Sequence, residues 1–380
     1  MTTALRAPLP EPVSCRQSAL PAAIQALRRP QALGRATELA FLRWEKQNLD
    51  ATATFWRDFG LQVQQTSPTR LLARGSGPSA CVAVAEHGAH NRLLGIALRM
   101  SADTDLDAYV KQANATWLES ALIPGGGRGV ALTDPAGRSV WLLQGQAPVA
   151  PLPHRDPVTT MNAAGQRPRI NRTVRTPVQP AQVLRLGHVV FQTLDFQGLA
   201  HWYMRMLGLI PTDVQYLPDG SPNLAFCRLD LGSEPADHHT VVFVGGIEEK
   251  YEHSAYEVVD LDALGQGQQV LRAQGHRHVW GIGRHVLGSQ LFDYWRDPDG
   301  FEYEHYTDGD VFTADHETEY SPLTFGSIWA WGQDAPASMK PRKNLRNLLR
   351  IVGHLRAGRL STQRLKLISA ALDAPARPWL

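Results

Sequence analysis

Apolar and polar positions alternate along this chain at two periods, and both periods recur in the same order twice. Residues 41–63, FLRWEKQNLDATATFWRDFGLQV, begin as an apolar strand, break at Leu49-Asp50, and continue as a helix with its aromatics on one face. Residues 186–210, LGHVVFQTLDFQGLAHWYMRMLGLI, repeat that order with the break at Leu194-Asp195. Asp50 and Asp195 are expected to cap the two helix N-termini. Gly60 and Gly208 suit the left-handed position that ends a helix. Further along, GIALRMSADTDLDAYVKQ (95–112) parallels HSAYEVVDLDALGQGQQ (253–269), each a strand, an acidic break and a helix. DPAGRSVWLLQG (134–145) parallels DPDGFEYEHYTDG (297–309), a tight turn feeding an alternating strand. Three blocks in one order imply internal duplication. The expected class is α+β, with each copy built of paired βαβββ units.

The intervening stretches read differently. Residues 146–181 carry seven prolines, each removing a backbone donor and forbidding helix continuation, which marks an interdomain linker. Residues 1–37 are rich in Pro, Ala and Arg, with Glu11 their only acid. A transit peptide shares that composition, but the preferred reading is an arm laid across the body. The expected organisation is therefore an arm (1–37), a first module (38–145), the linker (146–181), a second module (182–316) and a C-terminal extension (317–380). In the extension, Leu345, Leu348, Leu349, Val352 and Leu355 recur at helical spacing among arginines. That basic amphipathic helix is expected to dock its apolar stripe on its own body or a neighbouring subunit. An anionic membrane surface is the alternative.

Composition narrows the function. At 43% hydrophobic and 19% charged residues the chain is an ordinary globular protein, and no stretch is apolar enough for a membrane span. The net charge of +2 hides an asymmetry: from Pro336 onward ten Lys and Arg face one acid, Asp373, so the extension carries +9 and the rest −7. So acidic a body argues against nucleic acid as partner. The isolated Cys15, Cys81 and Cys227 form no disulfide framework, which fits a reducing, cytoplasmic setting. Ten of the fourteen histidines lie between His188 and His316, so chemistry belongs in the second module.

Within that module His188 falls in the first strand, His253 at the start of the middle strand and Glu304 in the last. The corresponding positions of the first copy are Arg43 or Ala40, Gly95 and Trp141, none of them alike. Two imidazoles and one carboxylate on a concave sheet form a facial triad that leaves open positions on iron(II). His276 and His278 form a His-x-His pair in a Gly-rich loop without a third ligand. His201 sits among apolar helix residues and reads as packed.

The segment GRHVLGSQLFDYWRDPDGFEYEHYTDGD (283–310) resembles the C-terminal signature of type I extradiol ring-cleavage dioxygenases of the vicinal oxygen chelate, or glyoxalase–bleomycin resistance, superfamily, nearest the catechol 2,3-dioxygenase branch. His285, Tyr294 and Glu304 stand nine and ten residues apart, as that signature requires. LGHVVF (186–191), DHHTVVF (237–243) and the His253 strand extend the resemblance, which covers about residues 38–316. It implies two tandem modules, each curled into an open barrel, with metal in the second alone. It implies metal ligands His188, His253 and Glu304, an acid–base His239, and pocket residues His285 and Tyr294. His238 is the less favoured half of the His-His pair, on the expectation that it points to the other face of a strand. The implied reaction is meta cleavage of a catechol by O2 at non-haem Fe(II), with Mn(II) a second metal the set accepts, giving a muconic semialdehyde-type acid in aromatic catabolism. A homo-oligomer is the expected assembly. A glyoxalase-like isomerase or a metal-free small-molecule binder are the alternatives from other classes.

Overall fold

The computed structural model describes residues 22–336, 339–340 and 344–374. Residues 1–21 of the expected arm, with Cys15, lie outside the described residues. The first module comprises β1 (Ala36–Lys46), α1 (Leu49–Asp58), β2 (Gln62–Ser67), β3 (Arg70–Arg74), β4 (Ala83–His87), β5 (Arg92–Met100), α2 (Leu106–Ala113), β6 (Thr116–Trp117), β7 (Arg128–Thr133) and β8 (Ser139–Gln144). They make one sheet in the order β2-β3-β4-β1-β5-β8-β7-β6. The second comprises β9 (Val183–Thr193), α3 (Phe196–Leu207), β10 (Ile210–Tyr216), β11 (Pro222–Arg228), β12 (Ala236–Asp237), β13 (Val241–Gly245), β14 (Lys250–Val258), α4 (Leu261–Ala273), β15 (Arg277–Arg284), β16 (Leu291–Arg296) and β17 (Glu302–Thr307). β18 (Val311–Phe312) pairs with β12, and β19 (Glu319–Pro322) joins the main sheet beside β10. The second sheet runs β15-β16-β17-β14-β9-β13-β11-β10-β19. Both sheets curl without closing.

The duplication extends to strand irregularities. In β9 the pairing with β14 skips Gly187, so that His188 faces Ala255 and Leu186 faces Tyr256. In β1 the pairing with β5 skips Ala40, so that Phe41 faces Ala97 and Leu39 faces Leu98. A bulge at one equivalent point in both copies aligns the two sheets residue by residue.

Each module's first helix is wedged between its own sheet and the other module. In α3, Phe196, Leu199, Ala200, Tyr203, Met204 and Leu207 form a buried stripe at helical spacing. Asp195 caps it by accepting from the Gly198 amide, and Gly208 ends it at φ +69°. For α1 the cap is Asn48, accepting from the Ala51 amide, rather than Asp50, which sits in the first turn. Across the module boundary, Phe59 stacks on His305 with ring centroids 3.7 Å apart. Trp56 Nε1 donates to the Tyr303 hydroxyl at 3.2 Å, and Tyr203 donates to Asp134 at 3.0 Å. One apolar core runs through both modules.

Residues 145–182 contain no strand beyond a single bridge between Ala163 and Gln166. Asp260 fastens this stretch: it takes a two-pronged contact from Arg155, accepts from the Val158 amide, and caps α4 at the Ala263 amide. Burial pushes the carboxyl up, but these donors outweigh it and bring its pKa down to about 2. A depressed pKa means stability present above the unfolded value, near 4, and lost as pH falls toward 2. Asp260→Asn is therefore expected to flatten the low-pH limb of a melting-temperature profile between about pH 4 and 2. An unchanged limb would contradict that assignment.

The described part of the arm crosses the second module, where Leu33 N donates to Arg205 O and Arg29 pairs with Asp230 at 2.6 Å. The extension continues through a 3-10 turn (Phe325–Ile328) into α5 (Leu345–Arg356) and α6 (Thr362–Asp373). It is α6 that docks on the body, through Ile368 and Ala371 against Leu217. The stripe of α5 does not: Leu345, Leu348 and Leu349 are 69%, 57% and 63% exposed. The cleft beside α5 is lined by Glu248, Glu249 and Glu252, which attract guanidinium rather than leucine, and Arg350 pairs with Glu248. Among the described residues, no helix is long and apolar enough to cross a membrane.

Candidate metal centre

Three adjacent strands supply the candidate ligands. His188 on β9 lies opposite Ala255 of β14; His253 sits two residues earlier on the same strand face; Glu304 on β17 is opposite Ala255 from the other side. The ligand atoms of His188, His253 and Glu304 all lie within 4.8 Å of one another. It is the only such group among the described residues. Gly187 permits this crowding, because a β-carbon there would meet the Tyr306 hydroxyl at 2.0 Å.

Glu304 is fully buried, and its oxygens lie 3.2 Å from His188 Nε2 and 3.3 Å from His253 Nε2. These approaches are close but not hydrogen bonds: both carboxylate oxygens are without a donor. A buried carboxylate without donors is costly unless a cation pairs with it. Two imidazole nitrogens aimed at the same carboxylate complete a donor set suited to a divalent metal. The residues present therefore fit a metal ion. Burial raises the Glu304 carboxyl, but the surrounding imidazoles outweigh that and hold it well below its usual range. Burial lowers His188. Both groups are thus held in the ligand form that binding requires.

The remaining expected residues surround this group. His285 Nε2 stands 3.1 Å from the Tyr294 hydroxyl and 3.5 Å from Glu304. Its Nδ1 donates to the Ile328 carbonyl at 2.6 Å, so the extension anchors a site residue. Tyr294 pairs opposite Glu304 on β16; burial first, and then the Glu304 charge, raise its hydroxyl well above the usual range. The His239 ring lies 4.1 Å from that of His188, at a 52° tilt. Burial, then His188 and His238, lower its pKa well below the ordinary value. The imidazoles of His253 and His285 are 16% and 15% exposed, against 2% for His188, so access is from their side.

Several expectations need correction. His238 does not turn to an opposite strand face, because residues 238–240 are not strand; it is buried and bonded to His239. His278 lies in β15 rather than a loop, and pairs with Asp293 as His276 pairs with Asp58. His201 is exposed on α3 rather than packed. The partner of His188 in the first module is neither Arg43 nor Ala40 but Phe41, since the skipped Ala40 matches the skipped Gly187 and Phe41 faces Ala97 as His188 faces Ala255. Gly95 and Trp141 do correspond to His253 and Glu304, with Ala131 in place of Tyr294 and Cys81 in place of His239. The vestigial hollow is filled by an apolar cluster of Phe41, Cys81, Ala97, Ile123, Trp141 and Leu143, with the Arg43 guanidinium 3.7 Å above Trp141. Asp213, 2.7 Å from His238 Nε2, is the neighbour of the site that sequence reading missed. Its signal was a carboxylate in a strand, IPTDVQY, buried on both faces.

Residues 185–304 match the Glyoxalase/Bleomycin resistance protein/Dioxygenase superfamily. The chain is similar to Metapyrocatechase 2 of Cupriavidus necator, 34% identical over 174 residues, which cover 45% of this chain and 51% of that protein. It thus spans about half the length of the curated relative it matches. Among solved structures it is similar to the Mn(II)-bound glyoxalase from Novosphingobium aromaticivorans (23% identity, TM-score 0.65, covering 82% of this chain and 96% of that one). It is also similar to the anaerobic substrate complex of homoprotocatechuate 2,3-dioxygenase from Brevibacterium fuscum (18% identity, TM-score 0.66, covering 82% and 94%). The fold is the two-module vicinal-oxygen-chelate fold.

Proposed function

We propose that this chain is an extradiol dioxygenase that opens a catechol ring beside, rather than between, its two hydroxyls, using Fe(II) held by His188, His253 and Glu304. The observation that carries this reading is the donor-free buried Glu304 carboxylate facing two imidazoles, with His239, His285 and Tyr294 around it. A metal-free binder has no use for that surrounding set, and a glyoxalase-like isomerase usually carries a carboxylate where this chain has His253. Iron(II) held there would supply Lewis-acid and one-electron redox chemistry to a catechol and O2. His239 exchanges a proton with the substrate hydroxyl at the ring nitrogen facing the triad. His285, with its Nδ1 hydrogen on the Ile328 carbonyl, accepts the single Tyr294 hydroxyl hydrogen at Nε2 and orients that hydroxyl, whose oxygen is left to accept from a substrate hydroxyl. The same three ligands accept Mn(II), and metal analysis of anaerobically purified protein distinguishes the two.

The test is anaerobic loading with Fe(II), addition of a catechol, then air. One O2 consumed per ring, with a yellow semialdehyde product, is expected; product formed without O2 uptake would favour a glyoxalase-like isomerase. A panel of catechol, 3- and 4-alkylcatechols, dihydroxyphenylacetate and dihydroxybiphenyl reads the substituent. His239→Phe is expected to keep the metal and bind catechol while turning over about 10²- to 10⁴-fold more slowly, the usual worth of a positioned acid–base group. Loss of the metal in that variant would make His239 a ligand instead. The buried unpaired thiols Cys81 and Cys227 support a cytoplasmic setting. A homo-oligomer is part of the proposal, and sedimentation of the full chain measures it.

A further inference from the structure

Behind His239 lies a second layer that the proposed reaction does not by itself require. His239 Nδ1 is 2.8 Å from His238 Nδ1, and His238 Nε2 is 2.7 Å from Asp213 Oδ2. Both histidines are buried, at 1% and 4% exposure, while the Asp213 side chain is 10% exposed at the far end of the row. Proton counting fixes the row. A carboxylate only accepts, so His238 Nε2 carries the hydrogen that meets Asp213. In a neutral His238, Nδ1 is then a lone pair, and the 2.8 Å contact needs its hydrogen on His239 Nδ1. That leaves His239 Nε2, on the side of the ring away from His238, with a free lone pair. The competing arrangement is a doubly protonated His238. It would bury a cation between the rings of Phe226 and Phe312, close to a group that itself collects a metal ion.

We propose that Asp213 and His238 are positioning residues that hold His239 as the Nδ1–H tautomer, with its Nε2 bare and able to take a proton on the triad side. Its catalytic consequence rests on the ring-cleavage reading; the tautomer itself does not. Without Asp213, His238 loses the acceptor that sets its tautomer, and His239 can place its hydrogen on Nε2, where it no longer accepts. Two adjacent histidines thus divide the work, one facing the triad and one facing the carboxylate.

The experiment reads imidazole nitrogen shifts by solid-state NMR on the full chain with ¹⁵N-labelled histidine, first metal-free and then with Zn(II) as a diamagnetic ion. His239→Gln and His238→Gln variants assign the signals. The native chain is expected to show His239 with Nδ1 protonated and Nε2 bare; Asp213→Ala moves His239 toward the Nε2–H form, and Asp213→Glu restores the native pattern. In the Fe(II) enzyme, Asp213→Ala is expected to lower kcat about 10- to 100-fold with KM unchanged. A hydrogen on His239 Nε2 in the native chain overturns the proposal, and that observation needs no variant to fold. Unchanged His239 shifts in Asp213→Ala overturn it too. Native shifts as expected in a protein that cleaves no catechol would instead retain this inference and reject the reaction.

Discussion

Replacing His188 with alanine is expected to abolish stoichiometric metal and leave the fold intact. His188 lines the curled face of the second sheet and is not part of the apolar core, so its loss opens no hydrophobic cavity. What remains is one imidazole and a buried carboxylate, and two ligands do not hold a divalent ion as three do. The loss of affinity should exceed the roughly 10- to 100-fold that removing an outer partner of a ligand costs. Two measurements separate this from unfolding. Metal analysis after anaerobic purification should read about one ion per native chain and none in the variant, since each chain holds one such triad among its described residues. Added metal should raise the melting temperature of the native chain alone, since a ligand stabilises only the state that binds it. Undiminished iron in His188→Ala would require reassigning the ligand.

The second large effect is expected far from the metal. Lys46, at the end of β1, is fully buried, with Nζ 2.5 Å from Asp297 and 2.8 Å from Asp299 of the second module. Its ammonium also stands 4.4 Å from the centre of the Phe301 ring. Burial raises the Asp297 carboxyl, and the Lys46 charge opposes that rise. Lys46→Met leaves Asp297 buried without its cation, a change worth about 3–5 kcal/mol. At about 2–4 °C per kcal/mol, the melting temperature should fall by about 6–20 °C. A double variant, Lys46→Met with Asp297→Asn, removes both charges and should recover part of that loss. A fall of only a degree or two in the single variant would mean that water reaches the pair. The pair joins the two modules, so the first module acts as a foundation under the turn that leads into the Glu304 strand.

Much of this was legible in the sequence because the duplicated copies share their punctuation. Leu-Asp at the helix start, Gly-Leu at its end and the DPxG turn recur, and each has a local physical cause. The candidate ligand group was legible because Trp141 and Gly95 cannot ligate where Glu304 and His253 could. What was not legible depended on register and irregular backbone. The equivalent of His188 is Phe41, two residues before Arg43, because Leu39-Ala40-Phe41 aligns on Leu186-Gly187-His188, and only the strand pairing reveals that register. His238 was misjudged by strand alternation in a stretch that is not strand. The helix is capped by Asn48, two residues before the aspartate that seemed its cap, since either side chain can accept from the amides. The extension showed a helix at α5, but the surface it faces was set by acids more than ninety residues away in the chain, at Glu248 and its neighbours.

The central claim is that both atoms of O2 enter the substrate at this site, and labelling with ¹⁸O2 tests it most directly. The Fe(II)-loaded chain, given a catechol it turns over, is expected to yield a ring-opened product carrying two ¹⁸O atoms, one in the new carboxylate and one in the new carbonyl, read by mass spectrometry after rapid reduction of the carbonyl. A product carrying no label, or one formed equally well without oxygen, would contradict the account.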